Sequence, residues 1–362
     1  VCRGIWQDVY LESYPELSLE DVTIRTSVRD GKLEVHAIAG GASTEIEHNS
    51  GEMEQNTVQV RLVVRELGVL SGNEHHVEHA QASATHPDPN PVLTASAAAF
   101  PVDGAVIQLP RMCENERDGT AYRASFDLEW PEAHWWSPDS PFLYRAELEL
   151  LADERVIDRR HSTFGFREFW CEGREFVLNG IPVNLRGDSW HFQGGVQQTE
   201  AYIRNWYRMC RSVGVNSIRL HAEPYPEDYV RIADEEGMLI VDETAIYGSG
   251  KSMQADHPAY LENCRNHVRR LVQRDKNHPS VILWSVQNEM RWVDGRDGFK
   301  MHIPGLMASI RELDPTRPIL AEGDNRLLSK EDTEVESRHY NIDGTIGQWD
   351  RDVPLTFGEH GG

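Results

Sequence analysis

The 362-residue sequence predicts two folds in tandem, an antiparallel β-sandwich followed by a β/α barrel. Three observations predict this. Apolar residues alternate with period two from position 1 to about 162, as half-buried antiparallel strands require. After Phe166 the rhythm changes to short apolar runs separated by helical periods, which is the pattern of βα units around a parallel sheet. Polar and titratable residues then gather where those apolar runs end, on the rim where a β/α barrel keeps its chemistry.

The elements follow in order. Val22, Ile24, Thr26 and Val28 lead through an Asp30-Gly31 turn into Leu33, Val35 and Ala37, which is a hairpin. Val58, Val60, Leu62 and Val64 repeat the alternation, as do Tyr122, Ala124, Phe126, Leu128 and Trp130. Between Gly68 and Gly104 the sequence is rich in Pro, Ala, Ser and His, with Pro87-Asp88-Pro89-Asn90-Pro91 at its centre, and predicts a long solvated loop. In the second half, seven apolar runs predict strands, the first at 183–186 and the next at 215–221. The others are at 238–241, 281–286, 319–321, 335–340 and 354–357. Tyr202, Trp206, Met209, Cys210 and Val213 predict one face of a helix that Gly214 stops. Pro226 predicts the start of a helix ending at Gly237, and Leu261, Cys264, Val268, Leu271 and Val272 mark a third.

Composition narrows the function. With 36 Lys plus Arg against 59 Asp plus Glu, the formal charge of -23 argues against a nucleic-acid partner. The longest apolar stretches, 97–102 and 281–284, fall far short of the roughly 18 residues of a membrane span, so a soluble chain without a membrane partner is expected. The cysteines at 2, 113, 171, 210 and 264 stand singly without CxxC spacing, which predicts neither a disulfide framework nor a structural zinc site. The first strand of the second half ends in Arg186-Gly187-Asp188-Ser189-Trp190-His191, without the glycine-rich turn of a dinucleotide-binding sheet. Gly248-Ser249-Gly250-Lys251-Ser252 lacks the first glycine of a phosphate-binding loop, which would stand at Ala245. His75, His76 and His79 have no HExxH around them, and no serine lies in a GxSxG elbow. No metal or cofactor is expected. A homo-oligomer is compatible with the sequence, and no compartment is legible.

The rim residues carry the chemical candidates. Glu289 follows an apolar strand and sits beside Asn288, where a carboxyl can act as a proton donor; read alone it serves equally as a helix-start acid stabilised by the dipole. Glu359 follows Pro354-Leu355-Thr356-Phe357-Gly358 and alone reads as an exposed acid near a chain end. As a pair they match the two facing carboxylates that glycosidic cleavage requires. Arg219 orients a carboxylate through a forked hydrogen bond or forms a structural ion pair. His191, His221 and Tyr340 are candidates for binding sugar hydroxyls, since each both donates and accepts.

These residues stand in motifs that resemble glycoside hydrolase family 2, the β-galactosidase, β-glucuronidase and β-mannosidase group. Asn277-His278-Pro279-Ser280, Trp284-Ser285 and Asn288-Glu289 resemble its acid/base signature. Gly4-Ile5-Trp6-Gln7-Asp8-Val9-Tyr10-Leu11 is similar to the entry into its immunoglobulin-like domain, and Trp136-Ser137-Pro138 with Pro141-Phe142-Leu143-Tyr144 to that domain's end. The junction Phe164-Gly165-Phe166-Arg167 follows, then Asn179-Gly180-Ile181-Pro182, Gly214-Val215-Asn216-Ser217-Ile218-Arg219 and Val241-Asp242-Glu243 on the first three barrel strands.

The resemblance implies an immunoglobulin-like sandwich over 1–163 and a TIM barrel over 164–362 that lacks its closing strand. It implies a retaining exo-β-glycosidase with Glu289 as acid/base, Glu359 as nucleophile and Asn288 on the sugar 2-hydroxyl. β-Galactosides are the expected substrates, with β-mannosides, β-glucuronides or a non-catalytic carbohydrate-binding role as alternatives. It further implies a longer enzyme, with a jelly-roll domain before these residues and an eighth strand after them. Two positions depart from the family pattern. His221 follows Arg219 by two residues rather than three, and His360 stands where an aromatic commonly follows the nucleophile.

Overall fold

The structure is a computed structural model that describes residues 9, 11, 13–41, 58–70, 91–98, 100–102, 121–191, 194–247, 257–290, 299–323, 333–339, 349 and 351–360. Among the described residues, eight strands build the first unit: β1 (Leu17–Ser27), β2 (Lys32–Gly41), β3 (Val58–Val69), β4 (Pro91–Ala98), β5 (Phe100–Val102), β6 (Ala121–Glu129), β7 (Phe142–Ala152) and β8 (Arg155–Phe164). They form two antiparallel four-stranded sheets, in the orders β1-β2-β6-β5 and β4-β3-β7-β8. The alternation read in the sequence is the reason. Leu33, Val35 and Ala37 on β2 face one shared core with Val60, Leu62 and Val64 on β3 and Ala146, Leu148 and Leu150 on its neighbour β7. Leu62 pairs across the sheet with Leu148. Each such leucine, fully removed from water, stabilises the fold by about 1.5–3 kcal/mol.

The loop expected over 68–104 is corrected, because β4 and β5 lie inside it. Leu93, Ala95 and Ala97 turn toward the core while Thr94 and Ser96 turn away. The alternation is present but written in small side chains, which carry little hydrophobic signal. Pro91 opens β4, where a missing N–H does least harm.

A three-stranded antiparallel sheet follows, formed by β9 (Phe169–Glu172), β10 (Glu175–Leu178) and β11 (Ile181–Val183). The parallel strands are β12 (Gly187–Trp190), β13 (Ser217–Leu220), β14 (Leu239–Glu243), β15 (Val281–Asn288), β16 (Ile319–Glu322), β17 (Glu336–His339) and β18 (Leu355–Glu359). β12 to β16 form one sheet in chain order, and β17 pairs with β18. β17 also packs beside β16, and β18 beside β12, so the described parallel strands neighbour one another in chain order. An eighth strand is not among the described residues.

The first parallel strand was expected at 183–186 and is found at Gly187–Trp190. Val183 belongs instead to the antiparallel hairpin, where it pairs with Phe176. A four-residue strand reading Gly-Asp-Ser-Trp has no apolar run, and only its pairing with β13 reveals it.

The helices α1 (Glu200–Ser212), α2 (Glu227–Glu236), α3 (Pro258–Asp275) and α4 (Ile303–Leu313) pack outside the strands. α1 starts where the Thr199 side chain accepts from the Tyr202 N–H at 3.2 Å. Its buried stripe is Ile203, Trp206, Tyr207 and Cys210, the i, i+3, i+4, i+7 pattern. Met209 and Val213, expected on that face, are 61% and 75% exposed, because they lie off that stripe. α2 ends at Gly237, whose φ of 69° is left-handed and whose Cβ, if present, would lie 2.3 Å from the Pro138 carbonyl oxygen.

The motif at 277–280 fastens the two units together. Asn277 accepts from the Ile24 N–H at 2.9 Å and donates to the Val22 carbonyl at 2.8 Å and to Ser162 at 3.1 Å. Lys276, almost wholly buried, pairs with Asp21 at 2.6 Å. Arg167 donates to the carbonyls of Pro279 and Val281. No helix among the described residues is long and apolar enough to cross a membrane. The described cysteines, Cys171, Cys210 and Cys264, are free thiols.

Candidate active site

Five consecutive parallel strands end in a polar residue that points to one place: Glu243 on β14, Asn288 on β15, Glu322 on β16, His339 on β17 and Glu359 on β18. Arg219 on β13 ties them together. Its Nε and Nη2 form a fork on the Glu243 carboxylate at 3.0 and 2.9 Å, Nη2 also donates to Asn288 Oδ1 at 2.6 Å, and Nη1 reaches Glu359 Oε1 at 3.2 Å. Glu243 is wholly buried and also accepts from the Ala222 N–H and from the Ser285 hydroxyl, each at 2.6 Å. Burial disfavours the charge on Arg219, but Glu243, Glu322 and Glu359 outweigh that effect and hold its pKa above the ordinary value.

The strand pleat separates neighbours that the sequence shows as one cluster. Asp242, next to Glu243, lies wholly buried beside Asp275, and burial with that like charge pushes its carboxyl well up. It takes no part in the rim network.

Glu289 sits just past the end of β15 with a φ of 47°, a left-handed backbone that side chains other than glycine rarely adopt. Its N–H donates to the Glu322 carbonyl at 3.0 Å, which holds the turn. A carboxylate oxygen of Glu289, one of Glu359 and a ring nitrogen of His339 all lie within 4.8 Å of one another. That spacing suits a metal ion in principle, yet the donors already serve one another. His339 Nδ1 meets Glu289 Oε1 at 2.5 Å, and Glu359 Oε1 is held by Arg219 and by His221 Nε2 at 2.9 Å. The arrangement is two carboxylates, each held by a cation or an imidazole, within 4.8 Å of one another. The side chains of Glu289 and Glu359 are 19% and 17% exposed, so a ligand can reach both.

The remaining expected residues divide. His221 joins the network through Glu359. His191 is exposed at the rim, with its ring centroid 3.9 Å from that of His221. Asn288 is buried, with its side-chain oxygen turned to Arg219. Tyr340 lies outside the described residues, as do His75, His76, His79 and the stretch 248–252. Sequence reasoning assigned no role to Glu243, Glu322 or His339. All three were visible as polar residues at strand ends, but their pairing with Arg219 and Glu289 depends on which way each strand faces.

Comparison with known proteins adds the family. The profile described as "Glycosyl hydrolases family 2, TIM barrel domain" matches residues 166–355, and "Glycosyl hydrolases family 2" matches residues 17–167. A "Putative beta-glucuronidase" of Formosa agariphila is 34% identical over 199 residues, covering 53% of this chain and 18% of the relative. Among solved structures, a Bacteroides uniformis beta-glucuronidase aligns at a TM-score of 0.68 and 20% identity, over 96% of this chain and 41% of that one. A Bifidobacterium dentium beta-glucuronidase complexed with coumarin-3-O-glucuronide aligns at 0.66 and 20%, over 96% and 54%. The chain therefore spans only part of the length of these proteins. With the barrel profile lying over the strands whose ends converge on Arg219, and the second profile over the sandwich, the chain belongs to glycoside hydrolase family 2.

Proposed function

We propose that the protein is a retaining exo-β-glycosidase acting on terminal β-glucuronides, with Glu289 as acid/base and Glu359 as nucleophile. One observation carries the mechanism: carboxylate oxygens of the two residues lie within 4.8 Å. Retention requires carboxyl groups about 5–5.5 Å apart, whereas inversion needs about 6.5–9.5 Å to admit a water. In the first step Glu359 bonds to the anomeric carbon, the bond to the leaving oxygen breaks, and Glu289 gives that oxygen its proton. In the second, Glu289 takes a proton from water, the water oxygen bonds to the anomeric carbon, and Glu359 is released. Arg219 and His221 fix Glu359 for attack through Oε1, and Asn288, oriented by the same Arg219, is placed to meet a sugar hydroxyl.

The relatives named above are β-glucuronidases, which supports the glucuronide reading over the β-galactoside one. The finer fold belongs to the same proposal. The strand orders β1-β2-β6-β5 and β4-β3-β7-β8 support an immunoglobulin-like sandwich up to about residue 163, and the sequential parallel strands support a TIM barrel from about 164. A panel of aryl β-glycosides given to the full-length enzyme tests the function. Turnover of the glucuronide, abolished by Glu359→Gln, is expected; turnover of the galactoside alone would overturn the sugar assignment, and an active Glu359→Gln the nucleophile.

A further inference from the structure

His339 has no place in the two-carboxylate scheme, yet its side chain is only 1% exposed. Its Nδ1 lies 2.5 Å from Glu289 Oε1 and 3.8 Å from Glu359 Oε2, and its Nε2 lies 3.3 Å from Glu322 Oε1. Glu322 is itself fixed, because its Oε1 accepts from the Ser337 hydroxyl at 2.7 Å, and Ser337 in turn accepts from the Gly323 N–H at 3.2 Å. The backbone leaves room for this assembly at two glycines. A Cβ on Gly358 would fall 1.4 Å from Glu322 Oε1, and one on Gly323 would fall 3.0 Å from His339 Nδ1 and 3.2 Å from Glu289 Cγ. The chain is thus shaped around an imidazole wedged between a structural carboxylate and the carboxylate proposed to handle the proton.

Charge points the same way. Glu243, Glu289, Glu322 and Glu359 converge on a space in which Arg219 is the neighbouring guanidinium, and Arg219 already forks onto Glu243. A second positive charge is what lets the other carboxylates stand so close. We infer that His339 is a positioning residue for the acid/base: doubly protonated and anchored on Glu322, it fixes the Glu289 carboxyl through Nδ1 and offsets its charge against Glu359. Burial opposes a charge on His339, but its hydrogen bonds to Glu289 and Glu322 and the charges of Glu322 and Glu359 push its pKa up to about 10. Glu322, despite burial, is held below its ordinary pKa by Arg219 and by the His339 and Ser337 contacts.

This inference rests on the acid/base reading of Glu289, and the test separates the two. Rates are measured in the full-length enzyme with the phenyl and the 2,4-dinitrophenyl β-glycoside of the sugar that the aryl panel identifies. Dinitrophenolate leaves without a proton, so loss of acid assistance spares it. Glu289→Ala should lose phenyl-glycoside turnover selectively and yield the β-glycosyl azide when azide is added. His339→Ala should lower kcat/KM for the phenyl glycoside about 100-fold, at the low end of what a general acid contributes, and by less than about tenfold for the dinitrophenyl glycoside. His339→Gln, which keeps a donor without the charge, should recover part of that loss. Equal loss on both substrates, or no recovery in a folded His339→Gln, would overturn the role of His339. Should Glu289→Ala show no leaving-group selectivity, or the panel identify no sugar, the acid/base reading itself fails and this inference with it.

Discussion

Replacing Arg219 by Met separates what the rim network does for folding from what it does for catalysis. The Arg219 side chain is 5% exposed and that of Glu243 is wholly buried, with two fork hydrogen bonds of 3.0 and 2.9 Å between them. Arg219→Met removes one member of a buried ion pair and leaves a carboxylate without its counterion, at a cost of about 3–5 kcal/mol. Glu243→Gln in the same chain removes the stranded charge; its amide oxygen can still accept from the Ala222 N–H, and its amide nitrogen, in the place of the other oxygen, can donate to the Ser285 hydroxyl. The double variant should therefore recover most of the loss, leaving about 1–3 kcal/mol for imperfectly paired polar groups. Activity should not recover, because Asn288 and Glu359 both lose the donor that positions them. A misplacement of about 1 Å lowers turnover about 100-fold. Urea unfolding followed by tryptophan fluorescence gives the first quantity and kcat/KM on the aryl glycoside the second. The single variant's deficit should also shrink on acidification. Without Arg219 the folded pKa of Glu243 stands above the unfolded value near 4.3, so the penalty is present at neutral pH and fades as protonation removes the charge. A double variant no more stable than Arg219→Met would refute the reasoning, as would one that regained wild-type turnover.

The charge on His339 makes its own prediction. Its folded pKa, about 10, exceeds the free value of 6.5, so its stabilisation is complete below 6.5 and is lost as pH rises toward about 10. The gap in urea midpoint between wild type and His339→Gln should narrow across that window, and a constant gap would contradict a charged His339. Gly358→Ala should cost about 1–3 kcal/mol by overpacking and also lower turnover, since its Cβ would strike Glu322 Oε1 at 1.4 Å; crystal structures of the variant should show Glu322 displaced. Asn277→Ala removes three hydrogen bonds between sandwich and barrel and should lower stability by about 2–4 kcal/mol with kcat unchanged, because no contact of Asn277 reaches the rim.

Period-two alternation located β1, β2, β3 and β6 because one face of each strand is buried and one is not, so sequence and burial share a rhythm. It missed β4, whose inward residues include Ala95 and Ala97, and β12, which carries no apolar run. That Arg219, Glu289 and Glu359 converge was legible because parallel strands joined in chain order bring their carboxyl ends to one side of the sheet. The use of the conspicuous motif at 277–280 was not legible, since its partners in the sandwich lie 115 to 255 positions away. His339 and Glu322 stood in plain view at strand ends. Only the fold decides that His339 turns to Glu289, or that Asp242 and Glu243, adjacent in the chain, face opposite layers.

The contacts of the site differ greatly in how much chain they span. His339 meets Glu322 across 17 positions and Glu289 across 50, whereas Glu359 is gripped by His221 and Arg219 across 138 and 140. Longer closures cost more entropy and are reached later. The Glu289 side of the site is thus a product of local assembly, while Glu359 is seated only when the two ends of the parallel array meet at β12 and β18. Turnover consequently reports the final act of folding, and a mild denaturant that frays this seam should silence the enzyme while its helices and sandwich remain intact.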